Sequence, residues 1–254
     1  MEEQVRSVFI SDTHLGHCYA RTDLLLEFLH WILEVKPDRL YIVGDFIDGW
    51  KLKRSWSWDA RCNLVIQKML KLSRKGTEIF YVAGNHDEFL RDFLHPELSF
   101  GDIHIKDEFI HQGVNGDKYL VIHGDQFDTA IRYAMSSARW LCSLGDLGYN
   151  GMIRINGFIN AVRKFFGMPY WSFSKAVKQK FKQAVNYVGG FENLIANYAK
   201  ERNCQGVICG HIHHCNVGKI NDVNYVNCGD WVESCTAIIE YRDGSIKVHN
   251  ALSI

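Results

Sequence analysis

The feature that most constrains this chain is a short apolar run that ends in a carboxylate, Leu-Tyr-Ile-Val-Gly-Asp at residues 40–45. Four apolar residues followed by a glycine are typical of a buried β-strand, so we expect this strand to deliver Asp45 into the loop that follows it. A buried carboxylate is costly unless a cation stabilises it. Asp45 alone is a weak signal, but the same arrangement recurs along the chain.

The N-terminal third contains two more apolar runs that end in polar residues. The run at 5–10 precedes Asp12 and His14, and the run at 78–83 precedes Gly-Asn-His-Asp at 84–87. Amphipathic helical patterns separate the runs. Strands that alternate with helices predict parallel βαβ units, in which ligands gather beyond the carboxyl ends of the strands. The sequence therefore predicts a functional site at that edge.

The rest of the chain adds two strand ends of the same kind. The run at 118–122 is followed by His123, and the run at 206–210 is followed by His211 and His213. An aspartate-x-histidine or a histidine pair is, by itself, more often a surface turn than a ligand pair. Five such breaks after five apolar runs are not explained by surface turns, and together they favour a metal site.

The segments between these runs indicate the domain organisation. An extended run at 103–111 is separated from the next run by Asn115-Gly116, which is typical of a β-hairpin. Residues 129–200 have a helical pattern that several glycines interrupt. No repeat or low-complexity linker is visible, so we predict a single α/β domain, residues 1–254, with a helical insertion at about 129–200.

The polar residues at the strand ends form a set of oxygen and nitrogen ligands. Its members are Asp12, His14, Asp45, Asn85, His123, His211 and His213. Seven ligands exceed what one tetrahedral zinc ion needs, and they suit two adjacent ions that share one bridging carboxylate. Imidazole with carboxylate favours manganese, iron or zinc over calcium, and we expect two divalent ions, manganese first. Two such ions are the usual apparatus for hydrolysis of phosphate esters.

Composition limits the class of protein that the chain can belong to. Apolar residues make up 47% and charged residues 23% of the chain, as in an ordinary globular protein, and the formal net charge is zero. The N-terminus lacks the pattern of a secretory signal, and no apolar run reaches the roughly 18–20 residues that a bilayer span needs. Eight cysteines without a Cys-x-x-Cys pair are expected to be reduced thiols of a cytoplasmic protein. Cys204, Cys209 and Cys215 are close in sequence, but their spacing fits no standard zinc knuckle.

The ordered motifs resemble those of calcineurin-like metallophosphoesterases. They are Asp12-x-His14, Gly44-Asp45-x-x-Asp48, Gly84-Asn85-His86-Asp87, His123-Gly124-Asp125 and Gly210-His211-x-His213. The resemblance implies a four-layer α/β/β/α sandwich with a two-metal centre.

The same resemblance implies a role for each motif residue. The first metal would be held by Asp12, His14, Asp45 and His213, and the second by Asp45, Asn85, His123 and His211. Asp45 would then bridge the two ions. His86 would lie beside the phosphate as a general acid or transition-state stabiliser, with Asn85 also near the substrate. Asp87 would orient the ring of His86.

The sequence around several motifs is similar to that of one branch of the family, the UDP-2,3-diacylglucosamine diphosphatases of lipid A synthesis. The segments that carry this similarity are Gly-Asp-Phe-Ile-Asp-Gly-Trp at 44–50, His-Gly-Asp-Gln-Phe-Asp at 123–128 and Gly-Asp-Trp-Val-Glu-Ser-Cys at 229–235. The best-known members of that branch carry arginine where this chain has His86. A phosphodiesterase or phosphomonoesterase with another substrate therefore remains an alternative.

The insertion has its own composition. Residues 129–200 contain ten Lys or Arg against two Asp or Glu, and thirteen aromatic residues. Such a basic, aromatic, helical lid suits an anionic head group with an acyl chain, or an anionic membrane surface. Ser174, Lys178 and Lys182 recur every four residues on one predicted helix face and are candidate substrate contacts. A solvated basic face with its aromatics in the core is an equally good explanation of this pattern.

A nucleic-acid partner and a non-catalytic role are less well supported by the sequence. No nucleic-acid-binding module is recognisable, so we expect no nucleic-acid partner. A metal-bound scaffold without catalysis is the alternative to an enzyme, but such a scaffold has no evident need of His86. We therefore expect a cytoplasmic hydrolase of phosphoester or diphosphate bonds. Peripheral contact of this protein with the inner membrane is an alternative that the sequence leaves open.

Overall fold

A computed structural model of the chain describes residues 4–94, 98–128 and 173–253, and in the helix that begins at Phe173 it describes side chains from Tyr187 onward. In chain order the strands are β1 (Val5–Ile10), β2 (Arg39–Val43), β3 (Glu78–Val82), β4 (Leu98–Phe100), β5 (Ile103–Lys106), β6 (Glu108–Gln112), β7 (Lys118–Ile122), β8 (Gly206–Cys209), β9 (Asn216–Ile220), β10 (Val223–Asn227), β11 (Thr236–Tyr241) and β12 (Ile246–Asn250). The α-helices are α1 (Thr22–Val35), α2 (Gly49–Arg54), α3 (Ala60–Arg74) and α4 (Phe173–Glu201).

The strands form two sheets. The larger has seven strands in the order β12-β11-β1-β2-β3-β5-β4, and the smaller has five in the order β6-β7-β8-β10-β9. In the larger sheet β1, β2, β3 and β5 are parallel, and in the smaller sheet β7, β8 and β10 are parallel. The predicted parallel strands are thus confirmed, and their carboxyl ends lead into the polar motifs.

The two sheets pack face to face through an apolar layer. Phe9 and Tyr41 of the larger sheet belong to the same buried cluster as Val121 and Ile208 of the smaller one. The opposite face of the larger sheet is covered by α1 and α3, whose apolar residues are buried together with those of β1 and β2. These contacts bury the β-branched runs from both sides, which explains why the strands are continuously apolar.

The C-terminal part of α4 covers the outer face of the smaller sheet. Its Ile195 and Ala199 are fully buried, and Tyr198 donates a hydrogen bond to Glu108 of β6 at 3.2 Å. The predicted four-layer α/β/β/α arrangement is therefore confirmed. Among the described helices, none combines the length and apolar character that a membrane span requires.

One predicted element is divided in the structure. The extended run at 103–111 forms two strands, β5 and β6, that belong to different sheets. The break falls at Asp107, whose carboxylate accepts a hydrogen bond from Arg91 at 3.0 Å. Because Asp107 pairs with Arg91 rather than within the sheet, β5 ends there and the chain crosses to the smaller sheet, where β6 begins. The hairpin predicted at Asn115-Gly116 joins β6 and β7 as expected.

By its internal contacts the chain divides into two compact units, Met1–Gln126 with Glu192–Ile254, and Phe127–Phe191. All twelve strands described above and all seven predicted metal ligands belong to the first unit. Residues 129–172 of the predicted insertion lie outside the described residues. The single domain with a lid remains a prediction.

Candidate metal centre

The loops after β1 and β2 run side by side where these strands end. The amide of Asp12 donates to the carbonyl of Gly44 at 3.1 Å, and the amide of His14 donates to the carbonyl of Asp45 at 2.9 Å. In the smaller sheet, the amide of Gly210 donates to the carbonyl of His123 at 3.2 Å. These backbone contacts continue the parallel pairing beyond the strands and bring the polar motifs together.

The backbone of the ligand residues is unusual. Ten non-glycine residues in the described part of the chain have positive φ, and five of them are predicted ligands: Asp12, His14, Asp45, His211 and His213. A left-handed backbone costs such residues about 1–3 kcal/mol and persists only where surrounding contacts hold it. Because the left-handed conformation turns the chain sharply, each side chain is directed to a point that a continuing strand would not reach.

The two aspartates each use one oxygen to hold another motif. Asp12 Oδ2 accepts the amide of His211 at 3.0 Å, and Asp45 Oδ1 accepts the amide of His86 at 2.8 Å. Both aspartates are buried. Their second oxygens face imidazole nitrogens: Asp12 Oδ1 lies 3.2 Å from His213 Nε2, and Asp45 Oδ2 lies 3.4 Å from His123 Nε2. Each carboxylate thus joins two motifs of the fold while keeping one oxygen directed into the site.

Besides a group of His14, Asp48 and His86, the predicted ligands form two overlapping groups of metal-ligand type. The first contains Asp12, His14 and His213, and the second contains Asp12, Asp45 and His123, with the ligand atoms of each group within 4.8 Å of one another. His14 Nε2 also lies 3.8 Å from Asp45 Oδ2, so the Asp45 oxygen faces histidines of both groups. The structure therefore brings five of the seven predicted ligands together.

The other two predicted ligands lie in the same loops. The ring of His211 packs against that of His123 with their centroids 5.1 Å apart. Asn85 follows Gly84, at which an added Cβ would lie 2.2 Å from Asp45 Oδ1. The amide oxygen of Asn85 is buried.

Three buried lone-pair atoms test whether the site suits a cation. Among the described residues, seven buried side-chain polar atoms have no hydrogen-bond partner, and three belong to predicted ligands: Asp12 Oδ1, Asn85 Oδ1 and His123 Nε2. Buried polar atoms are nearly always paired, since leaving one unpaired costs about 1–3 kcal/mol. A carboxylate oxygen, an amide oxygen and an imidazole nitrogen are donors of the kind that first-row divalent ions accept. The residues present therefore fit a metal ion.

The electrostatics of the site favour positive charge. Burial raises the pKa of Asp45, but the neighbouring charges of His123 and His14 outweigh it, so the pKa is lowered. Burial lowers the pKa of His123, but the neighbouring Asp45 carboxylate outweighs it and raises the pKa to about 10. The carboxylates thus stabilise a cation at this position, which is what a metal site requires.

The second nitrogen of His123 is already used. Its Nδ1 lies 2.9 Å from the carbonyl oxygen of Val43, which can only accept, so the proton resides on Nδ1. This contact turns Nε2 towards the site, where a metal would take the place of the Nε2 proton, and a partner at Nδ1 is usual for ligating histidines.

His86 lies at the edge of the same cluster and is only partly buried. Its Nδ1 is 2.9 Å from Asp48 Oδ1, and its ring packs against His14 and Trp50, with centroids 4.5 Å and 4.3 Å away. Burial lowers the pKa of His86, but the hydrogen bond that its Nδ1 donates to Asp48 and the charges of Asp45 and Asp48 outweigh burial, so the pKa is raised. A partly exposed imidazole with a raised pKa beside the ligands is suited to contact a phosphoryl group.

The expected role of Asp87 needs correction. Its carboxylate accepts the amides of Phe46 and Gly84 and the hydroxyl of Tyr81, and it is fully buried. Asp87 therefore fastens the loop backbone, and Asp48 is the residue that contacts the His86 ring. The sequence did not reveal this pairing, because Asp48 and His86 are 38 residues apart and lie in different loops. Asp48 also accepts the Lys51 amide as the N-cap of α2.

The remaining predictions concern the substrate contacts in α4 and the cysteines. Ser174, Lys178 and Lys182 are in α4, but their side chains lie outside the described residues. The seven described cysteines are free thiols, and no described cysteine takes part in a metal-ligand group.

Comparison with known proteins agrees with this geometry. A family model described as calcineurin-like phosphoesterase matches residues 5–215. Several curated relatives are named UDP-2,3-diacylglucosamine hydrolase. That of Neisseria gonorrhoeae is 27% identical over 95% of this chain and 97% of its own length, and that of Aliivibrio fischeri is 22% identical over 95% and 97%. That of Histophilus somni is 32% identical over 49% of this chain and 51% of its own.

A solved structure supports the same architecture. A hypothetical protein from Pyrococcus horikoshii matches with a TM-score of 0.51 and 9% identity, covering 96% of this chain and 86% of the other. At this level of identity the likeness is one of fold alone.

Proposed function

Because the chain belongs to the calcineurin-like phosphoesterase family, whose members are metal-dependent phosphoester hydrolases, we propose that it hydrolyses a phosphoester or pyrophosphate bond with two divalent ions. The observation that carries this proposal is the set of unpartnered, buried lone-pair atoms on Asp12, Asn85 and His123. A purely structural polar cluster would pair these atoms with one another. A non-catalytic metal-bound scaffold would have the same ligands, but it gives no reason for a partly exposed His86 that Asp48 holds beside them.

The ligand assignment follows the contacts of the two carboxylates. The first metal would be held by Asp12, His14, Asp45 and His213, and the second by Asp45, Asn85, His123 and His211. When bound, such ions act as Lewis acids on phosphoryl oxygens and lower the pKa of a bound water to produce a nucleophile. The bridging role of Asp45 is supported by its Oδ2, which lies 3.4 Å from His123 Nε2 and 3.8 Å from His14 Nε2.

The side chains around the ligands carry the rest of the mechanism. His86 would donate a proton to the leaving oxygen or stabilise the charge of the phosphoryl group, and the nearby carboxylates raise its pKa in the direction that this role needs. Asp48 would hold the His86 ring through Nδ1 so that Nε2 points away from it. Asn85 would contact the substrate from the same loop.

Manganese is the ion that we propose first, with iron or zinc as alternatives. The ligands are oxygen and imidazole nitrogen, without thiolate, which suits all three ions.

For the substrate, we propose a nucleotide-linked lipid of the UDP-2,3-diacylglucosamine type, cleaved at its diphosphate. The support is the name shared by relatives that align over nearly their full lengths, together with the basic, aromatic composition of residues 129–200. In this proposal Ser174, Lys178 and Lys182 contact the anionic part of the substrate. A protein acting on such a lipid would work in the cytoplasm, with peripheral contact to the inner membrane.

The reaction is tested with a chromogenic phosphodiester and added manganese. We expect turnover that depends on the metal and is lost in Asp45→Asn and His86→Ala. His30→Ala, which removes an exposed histidine on α1, is the matched control and should retain full activity. Absence of metal-dependent turnover in the unchanged protein would overturn the enzyme proposal.

The substrate is tested with UDP-2,3-diacylglucosamine against the chromogenic phosphodiester. If α4 contacts the lipid-linked substrate, Lys178→Ser with Lys182→Ser should lower kcat/KM for that substrate alone. Lys200→Ser, on the last turn of the same helix, should change neither activity. Equal loss on both substrates would contradict a role in substrate selection, and no cleavage of the lipid by the unchanged protein would favour the alternative phosphoester substrates.

A further inference from the structure

A turn near the C-terminus packs directly against the first metal motif. The amide of Trp231 donates to the carbonyl of Asp12 at 3.0 Å, and the hydroxyl of Ser11 donates to the carbonyl of Gly229 at 2.8 Å. Trp231 is fully buried. The segment at 229–236 therefore packs behind Asp12, and it contains none of the seven predicted ligands.

The carboxylate of Asp230 lies in this turn and is 1% exposed. Its Oδ1 accepts three consecutive backbone amides, those of Val232, Glu233 and Ser234. Its Oδ2 accepts the hydroxyl of Ser234 at 2.9 Å and lies 3.9 Å from Nδ1 of His213. The first oxygen is saturated by the turn, whereas the second faces a predicted metal ligand.

His213 depends on its surroundings for orientation more than the other ligands do. Its side chain is 39% exposed, whereas that of His14 is 8% exposed and that of His123 is fully buried. Its Nε2 lies 3.2 Å from Asp12 Oδ1 and 3.4 Å from His14 Nε2, so this nitrogen faces the site. Nδ1 is therefore the outward nitrogen, and Asp230 is the carboxylate next to it.

Two other histidines of the cluster have a partner at Nδ1. His123 uses Nδ1 towards the Val43 carbonyl, and His86 uses Nδ1 towards Asp48. A partner at Nδ1 fixes the tautomer and makes Nε2 a better ligand, and loss of such a partner typically costs 10–100-fold in metal affinity. At 3.9 Å the Asp230–His213 contact is electrostatic rather than a direct hydrogen bond.

From this geometry we infer that Asp230 is a positioning residue that holds the proton of His213 on Nδ1 and thereby presents Nε2 to the first metal. The inference rests on the proposed two-metal centre. It adds a residue outside the five motifs, and it gives the turn at 229–236 a function besides closing the fold.

The test uses the full chain stripped of metal and titrated with manganese in a calorimeter. Asp230→Asn is the informative variant, because asparagine can still accept the three turn amides through Oδ1 while it removes the charge and the acceptor facing His213. We expect manganese affinity to fall about 10–100-fold, with the melting temperature of the metal-free protein close to that of the unchanged protein. Ser234→Ala removes the other contact of Oδ2 and should leave affinity nearly unchanged.

A double-mutant cycle with His213→Ala separates positioning from a structural effect. In the His213→Ala background, Asp230→Asn should have no further effect on manganese affinity, even if the turn is weakened. An equal loss in both backgrounds, or wild-type affinity in Asp230→Asn, overturns the inference. If His213→Ala itself leaves manganese binding unchanged, the proposed first metal site fails, which is a different outcome.

Discussion

Asp48 and His86 form a pair across two loops, with Oδ1 of Asp48 2.9 Å from Nδ1 of His86. The pair lies beside the ligand cluster, since His14 contacts both residues. Asp48 is 3% exposed and His86 is partly exposed, so the carboxylate is shielded while the imidazole is accessible. This difference suits Asp48 to hold the ring and leaves His86 accessible for the substrate contact that we propose.

Asp48→Asn should therefore lower kcat without unfolding the protein. Asparagine is as good an N-cap for α2 as aspartate, but it cannot hold a protonated His86 as a charged partner. The loss should stay within the roughly 10²–10⁴-fold that general acid catalysis contributes. Steady-state kinetics on a chromogenic phosphodiester, together with thermal melting, measures both effects.

Asp87→Asn provides the contrast to that variant. The Asp87 carboxylate accepts two backbone amides and the Tyr81 hydroxyl inside the protein, so its replacement should lower the free energy of unfolding rather than kcat alone. Loss of a charged hydrogen bond costs about 1.5–3 kcal/mol. Urea unfolding of the metal-free protein would show this loss. If Asp87→Asn were as stable as the unchanged protein and only slower, Asp87 would have a catalytic role after all.

Asp45→Asn and His14→Ala should differ in metal content. Asp45 faces histidines of both ligand groups, so its loss should reduce binding of both ions, whereas loss of His14 should mainly affect one. Elemental analysis after dialysis against manganese gives the number of ions per chain. We expect fewer than one ion in Asp45→Asn and about one in His14→Ala. Equal values for the two variants would argue against a bridging Asp45.

Gly84→Ala should damage the site through a residue that is not a ligand. An added Cβ would lie 2.2 Å from Asp45 Oδ1 and 2.5 Å from the Asp45 backbone nitrogen, so the loop would have to shift. Overpacking of this kind costs about 1–3 kcal/mol, and manganese affinity should fall with it. Unfolding in urea and calorimetric titration are the measurements.

Gly190→Ala is the matched control for that substitution. Gly190 lies inside α4, and an added Cβ would meet nothing within 4 Å. Because glycine in a helix interior is about 0.5–1 kcal/mol less stable than alanine, this variant should be more stable than the unchanged protein. The same chemical change is thus expected to have opposite signs at the two positions.

A buried acid between the sheets predicts how stability depends on pH. Glu240 of β11 accepts hydrogen bonds from Arg6 and lies 3.0 Å from Nε2 of His111. Burial raises its pKa, but His111 and Arg6 outweigh it, so the pKa in the folded state is below the ordinary 4.5. The charged carboxylate therefore adds stability above pH 4.5, and this contribution is lost as the pH falls through the folded-state pKa.

Urea unfolding of the metal-free protein at pH 7 and at pH values below 4.5 tests this dependence. In Glu240→Gln the acid-induced loss of stability should be smaller than in the unchanged protein. Glu27→Gln, which changes an exposed acid on α1, should leave the dependence as it was. An unchanged acid dependence in Glu240→Gln would mean that other carboxylates dominate.

The sequence predicted the parts of the site that depend on local pattern. An apolar run followed by a polar residue marks a strand end, and this pattern alone places Asp12, Asp45 and His123 after β1, β2 and β7. Parallel strands then place their carboxyl ends at one edge, which makes the ligand set a consequence of strand order. The four-layer fold was expected only through the family resemblance.

Contacts between loops could not be predicted in this way. The pairing of Asp48 with His86, and the position of Asp230 beside His213, depend on left-handed turns that no local pattern specifies. The division of the run at 103–111 into β5 and β6 was missed for a similar reason, since the pairing of Asp107 with Arg91 joins distant residues.

The divided use of the Asp12 and Asp45 carboxylates has a consequence for how inactive variants are interpreted. One oxygen of each aspartate is bound to the backbone of another loop, at His211 and at His86, so it belongs to the scaffold whether or not an ion is present. Replacement by alanine removes the hydrogen bond to the loop as well as a predicted ligand. The inactivity of such a variant can result either from the missing ligand or from a displaced loop. Replacement by asparagine keeps an oxygen for this hydrogen bond and alters the charge. For this protein, the choice between two similar knockouts decides whether an experiment measures catalysis or architecture.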